Sequence, residues 1–86
     1  MTTEIEKIRR QLGELAALEA KTEQAERKIL ERAESLLADL EGKLPDLRRR
    51  ALTGDEEAER AYQDAILERG RLQQVIAQSR AVLGMQ

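Results

Sequence analysis

The chain has 86 residues, which limits it to one small domain, and with a single aromatic residue its core must be built from Leu, Ile, Val and Ala. Charged residues make up 37% of the chain while the net charge is only −2, a mixture typical of solvated helix surfaces rather than of a nucleic-acid-binding surface. Because Cys and His are absent, we expect no disulfide, metal site, cofactor or enzyme activity.

Ala, Glu, Leu, Lys and Arg make up 53 of the 86 residues, which is typical of coiled coils and predicts an all-α protein. The N-terminus lacks the apolar stretch of a signal peptide, and no apolar run is long enough to span a membrane. We therefore expect a cytoplasmic protein without a membrane segment. The ratio of 11 Arg to 4 Lys is typical of a GC-rich bacterial genome.

A first helix is predicted over about residues 3–43, starting with a capping box formed by Thr3 and Glu6. Its apolar positions have a mean spacing close to the 3.5 residues of a coiled coil. They are Ile5, Ile8, Leu12, Leu15, Leu18, Thr22, Ala25, Ile29, Ala33, Leu36, Leu40, Leu44, Leu47 and Ala51.

Pro45 interrupts this pattern, because a proline removes a helix hydrogen bond and clashes with the preceding turn. We expect the helix either to end near Gly42 or to kink, with a short helix over 45–52. The residues 52–55 then form a tight turn, since LTGD has typical turn chemistry.

A second helix is predicted over about residues 54–83, with Thr53 and Glu56 as its capping box and Gly84 as its C-terminal cap. Its apolar seam follows a strict heptad spacing. The seam consists of Ala58, Tyr62, Ala65, Arg69, Leu72, Ile76, Ser79 and Leu83.

Two long helices with a short connection predict an antiparallel helical hairpin. Most seam positions pair if the numbers of facing residues add to about 105, for example Leu83 with Thr22. This register leaves residues 4–21 without an intramolecular partner. This segment carries a stripe of large aliphatics, which indicates an oligomer or partner interface. The stripe consists of Ile5, Ile8, Leu12, Leu15 and Leu18.

A small hairpin without disulfide or metal favours oligomerisation, and a twofold dimer is the commonest form. The alternatives are that residues 1–21 fold back as a third helix, or that they await another protein. A membrane-surface helix is not favoured, because the cations Lys7, Arg9 and Arg10 are balanced by acids and no Trp or Phe accompanies them.

Two seam residues have more than one interpretation. Arg69 is charged, so it is predicted to set register or oligomeric state with its head near Glu31 or Glu34, the alternative being a ligand-binding arginine. Tyr62 is interpreted as a packed seam residue, with a partner hot spot as the alternative.

Three consecutive arginines, Arg48, Arg49 and Arg50, precede the turn. They favour the negative end of a helix dipole, whereas phosphate contact is the alternative interpretation. Their side chains point about 100° apart on a helix, and no aromatic residue accompanies them for base stacking.

The functional hypothesis for the whole chain is a coiled-coil adaptor, assembly factor or inhibitor that binds itself and another protein. The alternative is a nucleic-acid-binding hairpin dimer.

Overall fold

The computed structural model describes the backbone of residues 2–85 and the side chains of residues 3–85. It contains two helices, α1 over Thr2–Leu52 and α2 over Glu56–Val82, and no strand within the described residues. The helices pack along each other, which confirms the prediction of an all-α helical hairpin. The molecule measures 78 × 21 × 14 Å. Its long dimension is that of α1 alone, since 51 helical residues extend roughly 77 Å.

Helix α1 runs without interruption through Pro45. The predicted helix boundary near residue 43 is therefore wrong, whereas a kink at this position stays a prediction. A proline inside a helix costs ~3 kcal/mol, so other interactions must hold the helix together here. Leu44 is buried and Leu47 is half-buried against the second helix, on either side of the proline. Tertiary packing thus outweighs the local preference.

The connection between the helices consists of Thr53, Gly54 and Asp55. The Asp55 N–H donates to the carbonyl of Arg50 (3.1 Å) and the Gly54 N–H donates to that of Ala51 (3.3 Å), as in a Schellman motif. This motif requires a left-handed residue, which Gly54 supplies with a φ of 95°.

The N-cap of α2 is Asp55, and the predicted capping box of Thr53 and Glu56 is wrong. The Asp55 Oδ1 accepts a hydrogen bond from the Ala58 N–H at 3.1 Å. The Thr53 hydroxyl instead donates to the Arg50 carbonyl at 2.9 Å, so Thr53 belongs to the end of α1.

Helix α2 ends in a second Schellman motif. Gly84 adopts a φ of 70°, and the Met85 N–H donates to the carbonyl of Arg80 at 2.8 Å. The prediction that Gly84 caps this helix is confirmed.

The helices meet along a seam, here defined as the buried and half-buried residues of one face of each helix. Its heptad positions in α2 and the C-cap Leu83 are the eight predicted ones, and Ile66 is half-buried beside them. In α1 it contains Glu26, Leu30, Ala33, Leu37, Leu40, Leu44, Leu47 and Ala51. Both sets have strict heptad spacing, and counterparts in the two sets, such as 33 and 76, have numbers that add to 109. The predicted register near 105 is therefore displaced by about one helical turn.

The best-packed part of the seam lies toward its open end. Leu30, Ala33 and Ile76 are buried together, and Leu37, Leu72 and Leu83 pack against them. Leu83 thus packs against this cluster rather than facing Thr22, which is exposed. Toward the turn, Leu44, Ala58 and Ala65 are also buried in the seam.

Candidate interaction surface

The N-terminal part of α1 extends beyond the end of α2. Every described residue before Glu26 is exposed, and Glu26 is the first half-buried position of α1. We call residues 3–25 the arm. It is longer than the predicted overhang of residues 4–21 because the register is displaced by one turn. The arm continues α1 as one helix, so residues 2–21 do not fold back as a third helix.

Five large aliphatic side chains form a stripe along the arm, as the sequence predicts. They are Ile5, Ile8, Leu12, Leu15 and Leu18, and each is between 55 and 60% exposed. Burying such a side chain completely contributes ~1.5–3 kcal/mol, so covering the exposed half contributes about 1 kcal/mol each. An uncovered stripe of this kind is typical of an interaction surface.

The seam of the hairpin has two edges of opposite chemistry. One edge, which we call the polar edge, is lined by Glu34 and Glu41 of α1 and by Gln73 and Arg80 of α2. The Arg80 Nη2 lies 3.5 Å from the Glu34 Oε1, which links the two helices across this edge. Charged and amide side chains can stay exposed to solvent, so this edge does not require a partner to cover it.

The other edge, which we call the apolar edge, contains Ile29 and Leu36 of α1 and Val75 and Val82 of α2. Their side chains are between 38 and 60% exposed. Ile29, Leu36 and Val75 line one shallow groove with Lys28 and Arg32 at its rim.

This apolar edge is continuous with the stripe on the arm. Leu15, Leu18 and Thr22 of the arm and Val82 of α2 line a common depression of the surface. The stripe on the arm and the apolar edge of the hairpin therefore adjoin at this depression.

The sequence prediction missed the apolar edge. It placed Ile29 and Leu36 inside the seam, whereas they are 46% and 45% exposed and Leu30 and Leu37 take their places. The signal that could have revealed the edge is the second aliphatic pair on α2, Val75 and Val82. They are spaced seven residues apart, beside the heptad seam.

Arg69 lies half-buried in the seam, as the sequence predicts. Its predicted partner Glu34 pairs with Arg80 instead, and within residues 3–85 no carboxylate lies within 4.0 Å of Arg69. The half-buried Arg69 therefore has no such ion pair within the described residues to offset the burial of its charge.

Tyr62 is half-buried in the seam near the turn. It lines a shallow depression together with Arg48, Leu52 and Glu59. Both interpretations of this residue, packed seam residue and partner contact, agree with this position.

The arginines before the turn are engaged in local ion pairs. The Arg49 Nη2 lies 2.6 Å from the Asp46 Oδ1, and the Arg50 Nη2 lies 3.0 Å from the Asp55 Oδ2. A further contact of 3.7 Å joins Arg50 to Asp46. The three side chains that the sequence places together therefore do not form one open cationic site, although Arg48 lies apart from these pairs.

These contacts shift the pKa values of the groups at the turn. The hydrogen bond from Arg49 lowers the pKa of Asp46. The Ala58 N–H, and after it the Arg50 guanidinium, lower the pKa of Asp55. The same Asp55 carboxylate raises the pKa of Arg50. The charged groups thus stabilise the closed end of the hairpin.

Residues 2–85 contain no helix apolar and long enough to cross a bilayer. The described acidic residues form no group of three that could hold a metal ion.

The chain was compared with family models, curated proteins and solved structures, and none of the three comparisons finds a match.

Proposed function

We propose that this protein is a small coiled-coil interaction protein of the cytoplasm, acting as an adaptor, assembly factor or inhibitor by self-association and by binding another protein. The observation that carries the proposal is the uncovered stripe on the arm. A helix of the arm's length gains little stability from backbone hydrogen bonds alone, and most helices in proteins are stabilised by packing of one face. The arm has such a face, and the chain itself does not cover it.

Self-association is the simplest way to cover this face. A two-helix hairpin buries only a narrow stripe, and domains of this size depend on disulfides, metals or oligomerisation for additional stability. The chain has no Cys or His, so oligomerisation is the route open to it. A homodimer is the expected form, because twofold pairing is the commonest closed symmetry.

The experiment replaces Leu12 and Leu15 together with Glu. Sedimentation equilibrium at micromolar concentration should show a dimer for the unchanged chain and a monomer for the variant. The melting temperature, followed by circular dichroism, should fall by more than about ten degrees, because a 1 kcal/mol loss already shifts the midpoint by ~4–8 °C in a chain of this size.

The matched control places the same two charges on the opposite face of the arm, with Ala17→Glu and Gln24→Glu. Both positions are exposed and lie away from the stripe. This control should remain dimeric. A stable monomer for the unchanged chain at all concentrations would refute self-association.

Nucleic-acid binding is the alternative function, and the ion pairs of Arg49 and Arg50 weigh against it. Titration with mixed DNA and RNA at low and moderate salt tests it directly. Phosphate contacts give a steep dependence of affinity on salt. We expect no binding at low salt.

A further inference from the structure

The apolar positions of α1 have an internal symmetry. Ile8, Leu15, Thr22, Ile29 and Leu36 follow one another at intervals of seven residues. Such a column stays on one side of a helix and drifts by only ~20° per interval. Thr22 lies at its centre, and the residues on either side of it are Leu15 in the arm and Ile29 on the apolar edge.

We propose, on the basis of the self-association proposed above, that two copies pair antiparallel about a twofold axis near Thr22. The arm of each copy then lies in the groove of the other copy. In this arrangement Leu15 comes next to Ile29 of the second copy, and Ile8 comes next to Leu36. One contact surface thus covers both arms and both grooves.

The dimensions of the two surfaces agree. In the proposed pairing, residues 3–18 of the arm lie opposite residues 41–26 of the other copy, which is the part of α1 that packs against residues 68–83. Each of these stretches has 16 residues and measures about 24 Å. The docked arm would be a third helix beside α1 and α2 of the other copy, so each end of the dimer would be a three-helix bundle.

The exposed apolar area is sufficient for a specific dimer. An aliphatic side chain of this size has on the order of 60–120 Å² of apolar surface, so nine that are about half exposed offer about 400 Å² per copy. The nine are Ile5, Ile8, Leu12, Leu15, Leu18, Ile29, Leu36, Val75 and Val82. Because apolar atoms make up somewhat over half of an interface, the pair would bury about 1,400 Å² in total, within the range of specific interfaces.

A second copy also suits the shape of the surface better than a compact partner would. The apolar surface is long and narrow, since it follows α1 from the arm to the groove. A helix is the element that fits such a groove, with apolar residues at intervals of three and four. The arm carries these intervals at Ile5, Ile8, Leu12 and Leu15.

Crosslinking tests the proposed pairing, because the natural chain contains no cysteine that could interfere. Thr22→Cys alone should link to itself with a short bismaleimide, since it lies near the axis. A mixture of chains carrying Leu15→Cys and chains carrying Ile29→Cys should give a crosslinked heterodimer. Ala17→Cys, on the opposite face of the arm, should give none.

A substitution on α2 provides an independent measurement. Val75→Glu, in the groove and outside the arm, should weaken dimerisation by at least about tenfold in sedimentation equilibrium. Leu67→Glu is the control, since Leu67 is 63% exposed on the outer face of α2 and should leave the dimer unchanged.

The outcomes separate this inference from the proposal on which it rests. If Leu12→Cys crosslinks to itself and Val75→Glu does not weaken dimerisation, only the arms pair with each other. That result would overturn the docking of the arm into the groove but leave self-association intact. A monomer at all concentrations overturns both, and leaves the groove to a different protein.

Discussion

The two parts of α1 show how the same helix can be stabilised in different ways. From Glu26 to Leu52 it packs against α2, and its inner face is buried by Leu30, Ala33 and Leu44. From residue 3 to residue 25 it has equally large aliphatics, yet all of them are exposed. The amino-acid composition of the two parts is similar, so their difference comes from what lies beside them.

Under the proposed self-association, the stability of the arm depends on a second copy, whereas the stability of the hairpin depends on its own seam. Protein concentration should therefore affect the two parts differently. The following substitutions and a pH titration test this distinction.

The largest loss of folding stability is expected for Ile76→Ala in the hairpin, and Ile8→Ala in the arm is the matching substitution that should have little effect. Ile76→Ala removes a side chain that is only 7% exposed, so the free energy of unfolding should fall by ~2–5 kcal/mol at any protein concentration. Ile8→Ala removes one that is 56% exposed, and its effect on a dilute monomer should be within ~0.5 kcal/mol. Urea titrations at low and high protein concentration measure both. Equal losses for the two variants in dilute solution would contradict the distinction.

A gain in stability is expected when the proline of α1 is removed. Pro45→Ala restores a backbone hydrogen bond and relieves a clash, which together stabilise the helix by ~3 kcal/mol. The unfolded chain gains entropy when the proline is removed, and this offsets only ~0.4–1 kcal/mol of the gain. The thermal midpoint should therefore rise. Because Pro45 lies in the paired part of α1, the dimer dissociation constant should stay the same. A midpoint several degrees lower would mean that the proline shapes a bend that the seam requires.

A smaller gain is expected when the seam arginine is replaced with leucine. Arg69 is half-buried, and in the described part of the chain no carboxylate lies within 4.0 Å of it. A well-packed aliphatic side chain usually stabilises such a position at least as much as a charged one. The thermal midpoint of Arg69→Leu should rise by a few degrees, and sedimentation should show a mixture of oligomers if the charge sets specificity. Arg71→Leu is the control, because Arg71 pairs with Glu68 on the exposed face. A clear loss of stability in Arg69→Leu would show that the arginine stabilises the seam.

The smallest effect concerns acid pH at the turn. The pKa values of Asp46 and Asp55 are lowered in the folded chain, so their stabilisation is present above the ordinary value of about 3.9 and is lost as the pH falls through the lower folded values. Urea midpoints measured from pH 6 to pH 2 should show this loss. Asp55→Asn keeps an N-cap but removes the charge that faces Arg50, so the urea midpoint of this variant should depend less on pH. An unchanged slope would mean that other carboxylates cause the acid sensitivity.

The sequence predicted the helical hairpin because the pattern of α2 has only one interpretation. Its heptad positions are followed strictly from Ala58 to Leu83, and all eight are buried or half-buried. The other aliphatics of α2, such as Ile66, Val75 and Val82, do not form a second complete heptad series that could compete with it.

The seam of α1 was predicted only in part, because this helix has two adjacent aliphatic columns. Ile29 and Leu30 are consecutive, as are Leu36 and Leu37, and either member of each pair fits a mean spacing of 3.5 residues. The choice of Ile29 and Leu36 displaced the predicted register by one turn. Only the position of α2, fixed by the turn at Gly54, decides between the columns.

The prediction of the N-cap of α2 was wrong for a related reason. Thr53 and Asp55 are both good N-cap residues, and local propensity does not distinguish them. The left-handed Gly54 ends α1 by a Schellman motif that includes Thr53, and this leaves Asp55 as the cap. The stripe on the arm, by contrast, could be predicted residue by residue, because no competing pattern overlaps it.

Tyr62 gives the molecule an optical property that follows from its position. It is the single aromatic residue of the chain and lies in the seam near the turn. Its absorbance and fluorescence therefore report on one place, where the two helices are joined, while the far-ultraviolet signal averages over every helical residue. If the arm frays before the hairpin opens, the two signals will change at different temperatures, and no label has to be attached to see it.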